Sequence, residues 1–237
     1  MAQVRVGTSG WSYPEWVGRF YPTGTSPARM LEFYAHRFPT VEAHSTYRRL
    51  PTNLALERWL EQVPADFKFV PKMHLGVTHR RDLDGVEDRV GDFLASVAPL
   101  GARLGPVLLS LPHHQPDLER LDRLLAALPP APAGPAAAFE LGPAWSIPDV
   151  LDRLDASGAT VVVSDTGRPD VAVPSVGPFA YVRLRRDRYN RAELEAWADR
   201  LAKVRADGRD VYAFLKHDEL GDGPRYARLL AAAVAPE

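Results

Sequence analysis

Two glutamates and a histidine are placed where side chains could do acid–base chemistry. Glu42 and His44 are two residues apart in the segment VEAHS, so in an extended strand both side chains project to the same face. A carboxylate beside an imidazole can transfer protons or bind a metal ion. Glu140 follows the apolar run AAAF, and together the two glutamates could form an acid–base pair of the kind that hydrolyses glycosides. The alternative is that both carboxylates are structural and pair with nearby cations.

Two cationic residues also end apolar runs. Lys72 ends FKFVPK, where an amine can bind phosphate, stabilise an oxyanion or form a Schiff base. We favour the electrostatic role for Lys72. Arg183 follows YV, and its rigid guanidinium suits a carboxylate or a phosphate group. These residue types favour a site for a small anionic or polyhydroxylated ligand.

Two other classes of site use overlapping residues. A metal-dependent enzyme would draw its ligands from Glu42, His44, Glu140, Asp165 and His217. A non-catalytic module that binds nucleic acid would use aromatic residues beside Arg183, Arg185, Arg186 and Arg188. Charge runs such as RLRRDRY are usually solvated, so we expect the last three arginines to form an exposed face. We expect the neighbouring His113 and His114 to lie in an exposed loop.

An aromatic-rich segment, GWSYPEWVGRFYP, follows the first apolar run. Aromatic rings there can stack on a sugar or a base, or they can pack together as a small core. We expect most of them to be structural. Trp11 and Tyr13 are the best candidates for stacking on a ligand.

Eight apolar or strand-like runs must position these residues: VRVGTS, TVEAHS, FKFVPK, PVLLSL, AAAFEL, TVVVSD, FAYVRL and DVYAFLK. Helical patterns separate most of them, and alternation of strands with helices predicts a parallel sheet. Eight such units in 237 residues predict a single (β/α)8 TIM-type barrel domain spanning residues 1–237, with its chemistry at the carboxyl ends of the strands. The sixth crossover, TGRPDVAVPSVGP, has three prolines and no helical period, so it is predicted to be irregular.

Composition limits the possible partners. The formal net charge of −1 argues against a strongly basic nucleic-acid-binding protein. The chain has no cysteine, which excludes disulfides, cysteine-based zinc sites and a cysteine nucleophile. Neither a signal peptide nor an apolar run of about 20 residues is present, so we expect a cytoplasmic protein without a membrane partner.

The chain resembles the YecE-like family, known as domain of unknown function 72. The resemblance rests on GTSGWSYPEWVGRFYP, on VEAHSTYRRLP and on PKMHLGVTH, followed in order by RLGPVLLSLP, FELGPAW and AYVRL. It covers nearly the whole chain and implies a TIM-barrel fold, in agreement with the eight runs. The family has no established reaction, so the resemblance implies no cofactor and no substrate.

The chain departs from the family pattern in three places. The resemblance implies asparagine where His44 stands and an Arg-His pair where Leu141 and Gly142 stand. It also implies Phe-Asn-Asn at the end of the last run, where this chain has Leu215, Lys216 and His217. Lys216 or His217 could restore positive charge that these replacements remove.

We therefore expect a polar pocket at the strand ends and, if the chain is an enzyme, a hydrolase or isomerase acting on a small sugar or phosphorylated metabolite. Glu42, Glu140 and Lys72 are the candidate catalytic residues. The candidate ligand-binding residues are Trp11, Tyr13, His44, Ser45, Thr46, His79, Trp145, Arg183 and Lys216. The sequence leaves the cofactor and the oligomeric state open.

Overall fold

The computed structural model describes residues 2–80, 84–111, 115–130, 133–145 and 147–235. Within these ranges the chain has an α/β fold of alternating strands and helices. The strands are β1 (Val4–Thr8), β2 (Thr40–Ala43), β3 (Lys68–Pro71), β4 (Val107–Leu111), β5 (Ala137–Leu141), β6 (Thr160–Ser164), β7 (Phe179–Leu184) and β8 (Asp210–Leu215). The helices are α1 (Pro27–Ala35), α2 (Asn53–Glu61), α3 (Leu75–Thr78), α4 (Val86–Val97), α5 (Leu118–Ala127), α6 (Pro148–Ala156), α7 (Arg191–Ala206) and α8 (Asp222–Val234).

All of the strand pairs are parallel. Six strands form one sheet in the order β1-β8-β7-β6-β5-β4, and β2 pairs separately with β3. Single parallel bridges, Ser9 with Glu42 and Lys72 with Leu108, connect the two groups. The expected closed barrel is therefore met only in part, because short contacts rather than continuous ladders join β1 to β2 and β3 to β4. The strands β2 and β3 have only four residues each.

A tyrosine of α1 ties β1 to β2 where the ladder is missing. The Tyr34 hydroxyl accepts a hydrogen bond from the Thr8 amide (2.8 Å) and donates one to the Thr40 carbonyl (3.0 Å). Gly7 allows the close approach, since a Cβ atom at this position would overlap the Thr40 carbonyl. These contacts hold the end of β1 beside Glu42.

Two hydrophobic clusters lie on opposite faces of the strands. The larger, outer cluster fills the space between the strands and the helices. The inner cluster comprises Val70, Leu108, Ala138, Val162, Phe179, Tyr181, Tyr212 and Phe214. Because side chains alternate along a strand, residues two positions further toward the carboxyl ends lie on the same face as the inner cluster.

The predicted irregular crossover between β6 and β7 is confirmed. Residues 165–178 are all described and contain no helix. The guanidinium of Arg209 binds three carbonyls of this region, those of Pro174, Val176 and Phe179, at 2.9–3.2 Å. In the described part of the chain, every helix is too short or too polar to cross a membrane.

Candidate functional site

Glu42 is the centre of a buried polar network at the carboxyl ends of the strands. Its side chain is fully buried at the end of β2. Five side chains from three parts of the chain bind its carboxylate: Ser9, Tyr181 (2.7 Å), His44 (2.9 Å), Arg185 (3.0 Å) and Arg183 (3.2 Å). The partners come from the end of β1, the segment after β2, and β7 with the residues that follow it.

The charge state of Glu42 follows from these neighbours. Burial by itself would raise the pKa of its carboxyl group, but the guanidiniums of Arg183 and Arg185 outweigh burial and hold the pKa well below its usual range. The carboxylate is therefore ionised at neutral pH. An ionised carboxylate that already accepts several hydrogen bonds is suited to orienting other groups rather than donating a proton.

Arg183 connects Glu42 with the second glutamate. Its Nη1 donates to Glu140 Oε1, while its Nε lies 3.0 Å from Glu42 Oε1 without the alignment of a hydrogen bond. Ser110, on β4, donates to Glu140 Oε2 at 2.7 Å. Burial opposes ionisation of Glu140, but Arg183 and this hydroxyl lower its pKa. The two predicted glutamates are thus brought together through one arginine.

Arg185 is part of the same network, although we expected it on a solvated face. Its side chain is 15 % exposed and its Nη2 donates to Glu42. Burial and the adjacent charge of Arg183 lower the pKa of the Arg185 guanidinium. Tyr181, Arg183 and Arg185 all bind Glu42, so the two-residue alternation of β7 continues to the residue just past its end. Counting this period beyond the apolar run would have identified the residue.

The other arginines of this run point elsewhere. Arg186 pairs with Glu193 of α7, and Arg188 is exposed. Since Arg183 and Arg185 face Glu42, the four arginines do not make one basic face. The arrangement therefore does not support the nucleic-acid surface considered for them.

His44, Ser45 and Thr46 lie in a short 3-10 helix, His44–Tyr47, that follows β2. The His44 side chain is about one-third exposed, and burial is the main cause of its lowered pKa, so the imidazole is neutral at pH 7. Ser45 is exposed. The buried hydroxyl of Thr46 lies 2.8 Å from the Ala43 carbonyl and 2.7 Å from the Lys72 carbonyl and shares its one proton between them, which holds this helix against β3. Thr46 is thereby placed as a structural residue.

Lys72 follows β3 at the edge of the network. Its ammonium group lies over the Tyr47 ring, 4.6 Å from the ring centroid, and makes no ion pair within the described ranges. The Tyr47 hydroxyl is 3.2 Å from His79 Nε2, and the Thr78 hydroxyl is 2.9 Å from His79 Nδ1. Lys72, Tyr47 and His79 therefore form a second polar group beside the first.

The two aromatic candidates for ligand stacking have different positions. Trp11 is buried and packs edge-on against Trp59 (5.0 Å) and Phe69 (6.3 Å), which favours a structural role in the outer cluster over contact with a ligand. Tyr13 is half-buried and stacks on His217 at 3.8 Å. Burial and the charge of Glu42 raise the pKa of Tyr13 to about 12.

Lys216 forms a salt bridge and His217 a hydrogen bond at the rim, and neither contacts Glu42. Lys216 pairs with Asp187, and His217 Nε2 lies 2.7 Å from Glu15 Oε1. Positive charge at Lys216 is therefore neutralised by an exposed carboxylate. His217 instead fastens the end of β8 to the aromatic segment after β1.

The set of metal ligands considered from the sequence does not converge. Buried Asp165 accepts hydrogen bonds from the Arg185 amide and the Tyr189 hydroxyl, and His217 pairs with Glu15. Within the ranges that the structure covers, no three histidine or acidic side chains are arranged to hold a metal ion. His113 and His114 lie outside the described residues.

A cavity of about 290 Å³ opens beside Glu140. It lies where β5 and β6 diverge, since their pairing ends at Phe139 and Val161. Its other lining residues include Leu141, Gly142, Trp145, Ser164, Thr166 and Arg168. Trp145 is fully buried in the short 3-10 helix Pro143–Trp145. This cavity lies against Glu140 and is large enough for a small molecule.

Comparison with known proteins identifies relatives of this chain. It is 36 % identical over 109 residues to the UPF0759 protein YecE of Escherichia coli K12, an alignment that covers 46 % of this chain and only 38 % of the relative. It is 24 % identical to the UPF0759 protein YunF of Bacillus subtilis, across 92 % of this chain and 90 % of the relative.

Solved structures show the same fold. A DUF72 family protein from Thermotoga maritima matches with a TM-score of 0.82 at 23 % identity, across 97 % of this chain and 98 % of the other. A DUF72 family protein from Enterococcus faecalis matches with a TM-score of 0.77 at 18 % identity, across 98 % and 95 % of the two chains. The family model described as "Protein of unknown function DUF72" matches residues 5–237. The chain therefore belongs to the DUF72 family.

Proposed function

We propose that this protein binds a small anionic metabolite, such as a sugar phosphate, at the carboxyl ends of its strands, and acts on it as a hydrolase or isomerase. The observation that carries the proposal is an excess of cationic groups. Among the described residues, the side chains of Arg183, Arg185 and Lys72 accompany only two carboxylates, those of Glu42 and Glu140. Asp165 is bound instead by the Arg185 amide and the Tyr189 hydroxyl. A partly buried excess of positive charge favours an anion.

Lys72 provides the charge that remains for a ligand. The two guanidiniums contact Glu42 and Glu140, whereas Lys72 makes no ion pair with a described residue. Its side chain is partly exposed, so a phosphate or carboxylate group can reach the ammonium without displacing a protein carboxylate. A charge-assisted hydrogen bond of this kind contributes about 1.5–3 kcal/mol.

The cavity beside Glu140 supports a small ligand with hydroxyl groups. Ser164 and Thr166 contribute hydroxyls, and Trp145 contributes an aromatic wall. Leu141 and Gly142 line the same cavity, at the positions where the family resemblance implies an Arg-His pair. Because Gly142 has no side-chain carbon, it leaves more space beside Glu140 than a histidine would.

The charge states favour particular roles in catalysis. The pKa values of Glu42 and Glu140 are both lowered, so neither is suited to act as a general acid at neutral pH. Glu140 is the more accessible carboxylate, with 18 % of its side chain exposed, and is our candidate for a general base. Glu42 is assigned to positioning Arg183, Arg185 and His44.

We also propose that the eight strands complete a (β/α)8 barrel. The bridges from Ser9 to Glu42 and from Lys72 to Leu108 support this, because they connect the two ends of the six-stranded sheet to the β2–β3 pair. Location of the polar residues at the strand carboxyl ends agrees with the usual site of chemistry in such barrels.

Calorimetric titration with inorganic phosphate, ribose 5-phosphate and uncharged ribose tests the anion site. We expect the two phosphates to bind and ribose to bind at least about tenfold more weakly, because it lacks the charge that Lys72 recognises. Lys72→Ala should weaken phosphate binding by about tenfold or more. Lys216→Ala is the matched control, since Asp187 already neutralises that lysine.

Two results would overturn the proposal. One is equal binding of ribose and ribose 5-phosphate. The other is unchanged phosphate binding in Lys72→Ala with reduced binding in Lys216→Ala, which would move the site to the rim. Turnover is tested by following the hydrolysis or isomerisation of ribose 5-phosphate by the wild-type protein and by Glu140→Gln. Equal rates in the two proteins would contradict the role of Glu140 as a general base.

A further inference from the structure

We propose that Lys72 forms an imine with a small carbonyl compound that carries an anionic group, through an amine that lies over the ring of Tyr47 at the strand ends and has no carboxylate partner among the described residues. The substrate class is a 2-oxo acid or an aldehyde or ketone bearing a phosphate. This inference deepens the proposed function and rests on its anion site. It adds a covalent step to the site.

The surroundings of Lys72 differ from those of the other lysines. The chain has four lysines: Lys68, Lys72, Lys203 and Lys216. Lys68 donates to the Ala102 carbonyl, and Lys216 pairs with Asp187. Lys203 is on α7, away from the strand ends. Only Lys72 combines a position at the strand ends with an amine that, among described residues, has no carboxylate partner.

The electrostatics favour a reactive amine. Burial is the main cause that lowers the pKa of Lys72, and the Arg183 guanidinium lowers it further, while Glu140 and Glu42 partly compensate. A lowered pKa increases the neutral fraction, which is the nucleophile. After imine formation, the protonated imine keeps the positive charge, which Glu140 and Glu42 stabilise only in part.

The neighbouring groups can move the protons that the step requires. The neutral amine attacks the carbonyl carbon to form a carbinolamine, and loss of the oxygen as water leaves a carbon–nitrogen double bond. The amine and the carbonyl compound are converted to an imine and one water. Lys72 Nζ lies over the Tyr47 ring, 4.6 Å from its centroid, and the Tyr47 hydroxyl is 3.2 Å from His79 Nε2. When the departing oxygen reaches that hydroxyl, the Tyr47–His79 pair can donate a proton to it and be reprotonated from solvent.

The arginines near Lys72 are the reason to expect an anionic carbonyl compound. Arg183 and Arg185 contact Glu42 and Glu140, yet the pKa of Lys72 responds to both of their charges, so the region around the amine keeps part of their positive potential. A carboxylate or phosphate attached near the carbonyl carbon can be held by this positive region while the carbonyl meets the amine. A neutral aldehyde has the reactive group but lacks that anchor.

Reductive trapping tests the inference directly. The protein is incubated with pyruvate, ribose 5-phosphate or neutral propionaldehyde in the presence of cyanoborohydride, and adducts are located by peptide mass spectrometry. We expect a single adduct at Lys72 with at least one anionic compound, formed at least about tenfold faster than at Lys216. Inorganic phosphate should slow trapping at Lys72 and leave trapping at Lys216 unchanged.

Variants distinguish the role of the Lys72 amine as a nucleophile from the role of its positive charge and from proton donation by Tyr47. Lys72→Arg keeps the positive charge and should abolish the adduct, whereas Lys216→Arg should leave trapping at Lys72 unchanged. Tyr47→Phe should slow trapping by about tenfold or more, because the acid–base group is removed while the ring remains. Circular dichroism and thermal unfolding of each variant confirm that it is folded.

Two outcomes would overturn the inference. One is adducts distributed over the lysines and the terminal amine according to exposure. The other is anion binding without trapping in the wild-type protein, which would reject imine formation but leave the anion site in place. Absence of phosphate binding would reject the proposed function instead, so the two failures are distinguishable.

Discussion

Two adjacent layers inside the strands are both buried but are built from opposite chemistry. The inner cluster is apolar and aromatic, with Leu108, Ala138 and Tyr181 among its members. Two residues further along the same strands come Ser110, Glu140 and Arg183, which belong to the polar network. The register of the sheet places these polar residues side by side, since Ser110 pairs with Glu140 and Ser164 with Arg183.

The two layers contribute differently to the stability of the fold, and the charged layer contributes less than apolar residues could in the same place. Burial of apolar side chains is favourable, by about 25 cal/mol for each Å² removed from water. Burial of ions is costly, and well-packed apolar residues are often equally or more stabilising in their place. The charged layer therefore suggests selection for binding or reaction rather than for folding alone, and the apolar layer provides its rigid base.

Removing the central charge should have the largest effect on this arrangement. Glu42→Gln keeps the shape of the side chain but leaves Arg183 and Arg185 with only Glu140 nearby. We expect the free energy of unfolding to fall by about 3–5 kcal/mol, the usual cost of breaking a buried ion pair. Chemical denaturation measures the change, and a loss below about 1 kcal/mol would show that the charged layer is not held together by Glu42.

Acid should weaken the charged layer selectively. The pKa values of Glu42 and Glu140 are lowered in the folded protein from the ordinary 4.5, so the unfolded chain binds protons more readily. Their contribution is complete above about pH 4.5 and is lost as pH falls through the folded pKa values. We expect the free energy of unfolding, measured by chemical denaturation between pH 7 and pH 3, to fall less steeply in Glu42→Gln than in the wild-type protein. Parallel pH dependences for the two proteins would contradict this account.

A smaller effect is expected at the junction of the two layers. Tyr181 lies in the inner cluster, and its hydroxyl donates to Glu42, so Tyr181→Phe should reduce the free energy of unfolding by about 1.5–3 kcal/mol. Tyr212→Phe is the matched control, because the Tyr212 hydroxyl has no hydrogen-bond partner in the described structure and its removal should change stability little. Equal losses in the two variants would show that the layers are not energetically distinct.

Local pattern was sufficient to predict the elements and several residues of the site. The α/β alternation and the DUF72 family are confirmed, and Glu42, Glu140 and Arg183 are brought together by strands far apart in sequence. The ends of strands were harder, because the two-residue alternation continues past the hydrophobic run and turns Arg185 inward. Lys216 was expected near the ligand, but its pairing with Asp187 depends on how two loops meet. The sequence contains no signal for that contact or for the gaps between β1 and β2 and between β3 and β4.

The Tyr34 hydroxyl has a consequence for the seam between β1 and β2. Thr8, Thr40 and Tyr34 are all fully buried, so water cannot bind the backbone groups that the incomplete ladder leaves without a strand partner. Tyr34 occupies the Thr8 amide and the Thr40 carbonyl. A buried backbone group without a hydrogen bond costs about 1–3 kcal/mol, so one side chain from α1 lets the two strands separate locally without that penalty.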